Sequence, residues 1–260
     1  MTPPKSDLAG ETYFSERPRS RSIRRELRFL YRGEMLSFTV DTGVFSARGL
    51  DPGTALLIEH LAVAPEARVL EVGCGWGAVG VAVAKAASRG TVVLTEVNRR
   101  AARLAVENLA RNRLTNAEVR VGSLFEPVAD ASFDLILSNP PYRAGRELVL
   151  RFLEEVPAHL RPGGRLLLVG KGSQGIRFYQ SWLEEHFQGG VRVLGRKSGY
   201  RVLEALPLRS PPAETPRAVP RAEGVKNRAR LGELSRGRRP GRRGWNAEPD
   251  VRTQGSRTGE

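Results

Sequence analysis

The stretch from Arg68 to Val83, R-V-L-E-V-G-C-G-W-G-A-V-G-V-A-V, restricts the folds open to this chain more than any other. A short apolar run, Val69 to Val72, is broken only by Glu71. Gly73, Gly75 and Gly77 follow at alternate positions, and Ala78 to Ala87 is small, apolar and helix-forming. Strand, glycine turn and helix in that order open a nucleotide-binding α/β unit. The glycines let the backbone turn tightly and approach a ligand with no Cβ in the way. The helix behind them begins with free N–H groups and a partial positive charge.

Gly75 to Gly80 also fits G-x-G-x-x-G, the dinucleotide fingerprint, a weak signal by itself. Glu71 argues against that reading. A carboxylate two residues before the first glycine repels a pyrophosphate, and it suits a cationic ligand whose amino group or waters donate to it. Asn139-Pro140-Pro141-Tyr142 is a second argument, because hydride transfer has no use for it.

The alternation continues downstream. Thr91 to Thr95 predicts a strand ending at Glu96, Asn98 to Asn112 an amphipathic helix, and Glu118 to Val121 and Phe133 to Ser138 two more strands. Arg146 to Leu160 predicts a helix stopped by a turn at Arg161-Pro162-Gly163-Gly164. A buried strand, Arg165 to Gly170, a helix, Gly175 to Phe187, and two closing strands, Val191 to Leu194 and Arg201 to Ala205, complete the series. Upstream, Phe38 to Phe45 predicts a strand and turn, and Asp51 caps a helix that Pro52 starts. Such repeats fold as a doubly wound, Rossmann-like α/β sheet with helices on both faces. Ligands then sit at the carboxyl ends of the strands. That rule selects Glu96, whose carboxylate can accept both hydroxyl protons of a ribose, with Asn98 as a further polar contact. It also selects Ser123 and Leu124, which follow the third of these strands.

Asn139-Pro140-Pro141-Tyr142 directly follows a predicted strand. Two prolines fix φ and hold the chain extended, so neighbouring groups point in a preset direction. The Asn139 side-chain oxygen and the Pro140 carbonyl can then accept both protons of one amino group. Tyr142 offers a flat face on which a planar target stacks.

Together these segments resemble the methyltransferase small domain family. The residues carrying the likeness are Tyr13-Phe14-Ser15 with Pro18, D-T-G-V-F-S at Asp41 to Ser46, D-P-G-T at Asp51 to Thr54, Glu71 to Gly77, Asn139 to Arg146, and Gly199 to Val202. They span about residues 12–207. Relatives in this family include guanine-N2 methyltransferases of small-subunit ribosomal RNA. The resemblance implies S-adenosylmethionine as cofactor and a seven-stranded class I methyltransferase sheet whose last strand is antiparallel. It also implies that Gly43 to Ser46 lie beside cofactor and target, with Phe45 packed there. Carried onto this chain, the cofactor set is Glu71, Gly73, Cys74, Gly75, Trp76, Gly77, Glu96, Asn98, Ser123, Leu124 and Asn139. The catalytic set is Asn139, Pro140 and Tyr142, and Phe45, Pro141, Tyr142 and Arg143 face the substrate. The family usually places an Asp at the adenine edge, where this chain has Ser123. The acceptor implied is an exocyclic amino nitrogen of RNA, with guanine N2 of ribosomal RNA first. A protein glutamine or adenine N6 is an alternative acceptor, and a catalytically silent RNA-binding module is a reading of another class. Larger relatives carry a second methyltransferase-like domain that grips RNA.

Charge supports a nucleic-acid partner. The 260 residues carry a net +14, unevenly distributed. Residues 209–260 hold 13 Lys and Arg against 6 Asp and Glu, with repeated Pro and Gly, and cannot build a core. Arg236 to Gly244 resembles the RGG arms that hold RNA phosphates, though a solvated tail or low-complexity coding accounts for it equally well. Seven arginines between Arg17 and Arg32 suggest a basic arm at the other end. The expected organisation is an arm, 1–32, a methyltransferase domain, 33–207, and a disordered tail, 208–260. Cys74 is the only cysteine, which fits a reducing, cytoplasmic setting. His60, His159 and His186 have no ligand-spaced neighbours, so no metal site is expected. No apolar run approaches the roughly 20 residues of a membrane span, and no partner is expected there. Oligomeric state is not legible.

Overall fold

The computed structural model describes residues 15–207; the expected tail and Tyr13-Phe14 lie outside them. β1 (Arg25–Tyr31) and β2 (Glu34–Val40) form an antiparallel hairpin in which Arg25 pairs with Val40 and Tyr31 with Glu34. Arg32 and Gly33 turn it, both at positive φ (49° and 83°), as a two-residue hairpin turn requires. The 32/33 boundary expected from the arginine cluster therefore falls inside a hairpin. Leu27, Phe29 and Tyr31 alternate with the exposed Glu26, Arg28 and Leu30, and they form the inward face of a strand. Several of the arginines are paired within the protein. Arg24 meets Glu107, Arg28 meets Glu26, and Arg32 donates to the Leu61 carbonyl.

The remaining strands are β3 (Arg68–Val72), β4 (Thr91–Glu96), β5 (Ala117–Val121), β6 (Phe133–Ser138), β7 (Leu160–Lys171), β8 (Val191–Lys197) and β9 (Tyr200–Ala205). They make one sheet in the order β5-β4-β3-β6-β7-β9-β8. β3 to β7 run parallel, and β9 is antiparallel to both neighbours. This is the seven-stranded sheet with an antiparallel last strand that the family resemblance implied. Strand order reverses between β3 and β6, which opens a crevice at their carboxyl ends.

The helices are α1 (Pro52–Glu59), α2 (Ala78–Ala86), α3 (Arg99–Arg111), α4 (Arg146–Glu155) and α5 (Ile176–His186). The sheet residues alternate between two cores. Val69, Leu135, Leu137, Leu167, Val169 and Val202 face the core that α1, α2, α3 and the hairpin cover. Leu70, Ile136, Leu166, Leu168 and Leu203 face the core beneath α4 and α5. Burial on both faces explains why these strands read as continuous apolar runs. Some boundaries differ from the sequence reading: the strand expected from Phe38 to Phe45 runs from Glu34 to Val40, and the helix expected to reach Leu160 stops at Glu155. The turn expected at Arg161 to Gly164 lies inside β7, where Leu160 pairs with Phe133 and the register shifts before Leu135. Gly163, at φ +78°, takes up that irregularity.

The hairpin is fastened by side chains that imitate a strand. Asn108 accepts from Thr39 N at 2.7 Å and donates to Thr39 O at 2.9 Å. Asn112 does the same with Ser37 N and O, at 3.1 and 2.8 Å. Four residues of helix rise about 6 Å and two residues of strand about 6.8 Å, so the two amides meet alternate residues of β2. Asn108 also donates to Trp76 O at 2.8 Å, which ties the hairpin to the glycine turn. Phe38, fully buried, stacks on Phe29 and meets the Trp76 indole edge-on. Among the described residues, no helix is long and apolar enough to cross a membrane.

Candidate active site

A cavity of about 260 Å³ opens at the carboxyl ends of the parallel strands. The glycine turn forms one wall and the Asn-Pro-Pro corner another. Gly73 and Gly75 lie at φ +75° and +56°, and a Cβ on either would meet only open space. They form a bare backbone cradle. Gly77 serves packing instead, because a Cβ there would come within 3.1 Å of Ala105. α2 starts without a side-chain cap at Gly77, and in its first turn the Gly80 amide is hydrogen-bonded to Glu71.

The cavity has an acidic lining in a basic protein. Asp51, Glu71 and Glu96 contribute to it, and among the described residues no Lys, Arg or His does. Glu71 is 4% exposed, and its Oε2 has no hydrogen-bond partner. Burial first, then the neighbouring Glu96 charge, push the Glu71 pKa well up. Glu96 accepts from Gly75 N at 2.7 Å and from Asn98 N at 2.8 Å. Burial still holds its pKa above the ordinary range, because these amide bonds offset only part of the desolvation. Two buried carboxylates without a cation disfavour any anionic ligand and favour one that brings positive charge. Cys74 is buried beside them, and burial, then Glu71 and Glu96, push its thiol well up, so it is no nucleophile.

Asn139 follows β6 at the same strand-end level. Its Nδ2 donates to Asp51 Oδ2 at 3.2 Å and to Thr54 Oγ1 at 3.0 Å. Both amide hydrogens are thus engaged, and among the described residues none donates to Oδ1. Asp51 also caps α1 through Thr54 N at 2.9 Å and accepts from the Tyr200 hydroxyl at 3.3 Å. Burial and then the Asp51 charge raise the Tyr200 pKa. Pro140 O accepts from Tyr142 N at 2.8 Å across Pro141, whose φ and ψ are −76° and 73°, a tight three-residue turn. One lone pair of that carbonyl remains.

Not every expected residue reaches the cavity. Phe45, Ser123, Leu124, Pro140 and Pro141 line it, whereas Gly77, Asn98, Tyr142 and Arg143 do not. Asn98 is fully buried. It caps α3 through Arg100 N and Ala101 N and donates to Gly43 O at 3.0 Å. The indole of Trp76 is spent on Phe45 O at 3.0 Å. The Tyr142 hydroxyl is anchored on Val169 O at 2.8 Å, and burial, then Tyr179, push its pKa well up. Arg143 is exposed. Sequence reasoning read Asp51 and Thr54 as a helix start and missed their second role, because their partner lies 88 and 85 residues away. It also missed Thr95, Phe152 and Gln174, which line the cavity from three other elements.

The sequence pattern of the methyltransferase small domain family matches residues 35–204. The chain is 36% identical over 197 residues to the uncharacterized protein YbxB of Bacillus subtilis, covering 75% of this chain and 98% of that one. It is 32% identical to ribosomal RNA small subunit methyltransferase C of Haemophilus influenzae, covering 62% of this chain and 48% of that protein. A solved structure, the Thermus thermophilus 16S rRNA N2 G1207 methyltransferase (RsmC) in complex with AdoMet and guanosine, superimposes with a TM-score of 0.63 at 30% identity. That match covers 73% of this chain and 52% of the other. The chain thus spans about half the length of the ribosomal RNA methyltransferases it resembles, and nearly all of the Bacillus protein.

Proposed function

The chain belongs to the methyltransferase small domain family, and on that premise we propose that it methylates an exocyclic amino nitrogen of RNA, guanine N2 of ribosomal RNA foremost. Its cofactor is S-adenosylmethionine, which supplies an electrophilic methyl group on a sulfonium centre. The residues present fit that group. Glu71 has an orphaned carboxylate oxygen for an ammonium, the bare backbone at Gly73 and Gly75 leaves room for a close approach, and Glu96 retains lone pairs for ribose hydroxyls.

One observation carries the reading. The Asn139 amide is held by its nitrogen, with its oxygen unspent, on the cavity that the glycine turn also lines. An amino group on a base is a poor nucleophile because its lone pair is delocalised. When Asn139 Oδ1 and Pro140 O accept its two protons, the nitrogen is drawn toward tetrahedral geometry and its lone pair is freed. Positive charge building on that nitrogen strengthens the same two bonds, so they stabilise the transition state more than the ground state. Alignment contributes much of the remaining rate. No strong base is required, because the methylated nitrogen becomes acidic and loses its proton to water. A paired base must leave its stack to enter. Phe45 and Pro141 would flank it, and the exposed Arg143, Arg146 and Arg177 would take phosphates.

The test is transfer of labelled methyl to ribosomal subunits, followed by digestion and nucleoside mass spectrometry. Label released by nuclease as N2-methylguanosine supports the reading. Label released by protease, or found on adenine, points to the alternative acceptors. Absence of cofactor binding by calorimetry would leave only the silent module.

A further inference from the structure

We propose that Asp51 is a positioning residue for methyl transfer, orienting and polarising the Asn139 amide, an inference that rests on the function just given. The two ends of an asparagine amide have nearly the same shape, so packing alone does not decide which one faces a ligand. Here the decision is chemical. A carboxylate accepts and cannot donate, so only Nδ2 can face Asp51 Oδ2, at 3.2 Å. Thr54 takes the second hydrogen at 3.0 Å, and its own hydroxyl turns back to the same Asp51 oxygen at 3.4 Å. Nδ2, Oγ1 and Oδ2 close a ring. Both hydrogens of the Asn139 side-chain amide are occupied, and the remaining capacity of that side chain is to accept through Oδ1.

Asp51 is itself fixed from three sides. Thr54 N binds Oδ2, the Tyr200 hydroxyl reaches Oδ1 from β9, and Pro52 follows it in the chain. Gly53 makes the Tyr200 contact possible, since a Cβ there would lie 2.6 Å from the Tyr200 ring. A helix cap needs only the Thr54 N bond. The contacts to Asn139 and Tyr200 exceed that need. A carboxylate on the nitrogen side of an amide drives electron density toward its oxygen, and linked hydrogen bonds strengthen one another in this way. Oδ1 thus accepts more strongly as the target nitrogen turns cationic.

The experiment compares Asp51→Asn, Asn139→Ala and the double variant on ribosomal subunits. It measures kcat, KM, cofactor Kd, melting temperature and the side-chain amide resonances of Asn139. Asparagine caps a helix as well as aspartate does, so Asp51→Asn should melt within about 2 °C of the unmodified protein. Its cofactor Kd should stay within about twofold. The expected result is a kcat lower by about 10- to 100-fold at nearly constant KM, less than the roughly 100- to 1,000-fold of removing a transition-state hydrogen bond outright. No further loss is expected when Asp51→Asn is added to Asn139→Ala. An unchanged kcat, or a full extra loss in the double variant, would overturn the proposal, the latter by making Asp51 a direct contact. The amide resonances of Asn139 separate the proposal from the function beneath it. They should move in Asp51→Asn whether or not any methyl is transferred. If they stay put, the pairing is wrong. If they move while the unmodified protein methylates nothing, the assigned function fails and takes the proposal with it.

Discussion

Replacing Asn108 by alanine should cost this domain a large share of its stability. The side chain is fully buried and makes three hydrogen bonds to backbone groups. Truncation leaves Thr39 N–H, Thr39 C=O and Trp76 C=O without partners. A buried polar group without a partner costs about 1–3 kcal/mol, and partial hydration of the new space softens the total to about 3–6 kcal/mol. Domains are stable by about 5–15 kcal/mol, so the loss is a substantial fraction. In a domain of this size, each kcal/mol moves the melting point by about 2–4 °C, and a drop of about 6–24 °C follows. Asn112→Ala is the internal control. It removes the matching pair of bonds to Ser37, but at a half-buried position that water reaches, and about 1 kcal/mol should be lost. Urea unfolding followed by circular dichroism measures both. Equal losses under about 1 kcal/mol would refute the idea that the two amides complete the edge of β2.

Glu71 gives a pH signature. Its folded pKa lies above its unfolded one, so the native state holds more protons between the two, and free-protein stability should fall as pH rises through that window. Glu71→Gln should flatten that slope in thermal melts across pH and weaken S-adenosylmethionine by about tenfold, the size of one lost charge-assisted bond. Cofactor binding, by bringing a cation to Glu71, should release a proton, seen as buffer-dependent heat in calorimetry and absent in Glu71→Gln. Asn139→Ala should leave cofactor affinity within about twofold and lower methyl transfer by at least about a hundredfold; retained turnover would contradict its assigned role. In Gly170→Ala the new Cβ would fall 2.4 Å from the Tyr142 oxygen, so the phenol must leave Val169 O. Transfer should drop while cofactor affinity holds, and a tyrosine fluorescence spectrum identical to that of the unmodified protein would count against the displacement.

Much of this architecture was readable because its signals are local. β3, β4, β6 and β7 are apolar runs, and each is followed by a turn and a helix. The glycine turn, Glu71, Glu96 and the Asn-Pro-Pro corner fall at strand ends by simple counting. What stayed hidden involves partners distant in sequence. Asn108 reads as a surface residue of an amphipathic helix, yet it is enclosed by a strand 69 residues earlier. β1 was obscured by its arginines, whose charge masks the alternation of Leu27, Phe29 and Tyr31. Asn98 looked like a ligand contact because it stands at a strand end, but the α3 N-terminus consumes its oxygen. Tyr142 was read as a platform from its position in the motif, and nothing local reveals that Val169 holds its hydroxyl.

The segment from Thr42 to Phe45 is pinned by its main-chain oxygens. Arg100 grips Thr42 O, Asn98 grips Gly43 O, and the Trp76 indole grips Phe45 O. Gly43, at φ +74° among Ser20, Arg100 and Pro18, and the buried Val44 are fixed by conformation and packing, but Phe45 is held by an oxygen that every amino acid brings, so its side chain can change without moving this wall. That one position is free to be rewritten toward a new acceptor while the donor side stays as it is, and a small enzyme built this way can change clients without rebuilding its frame.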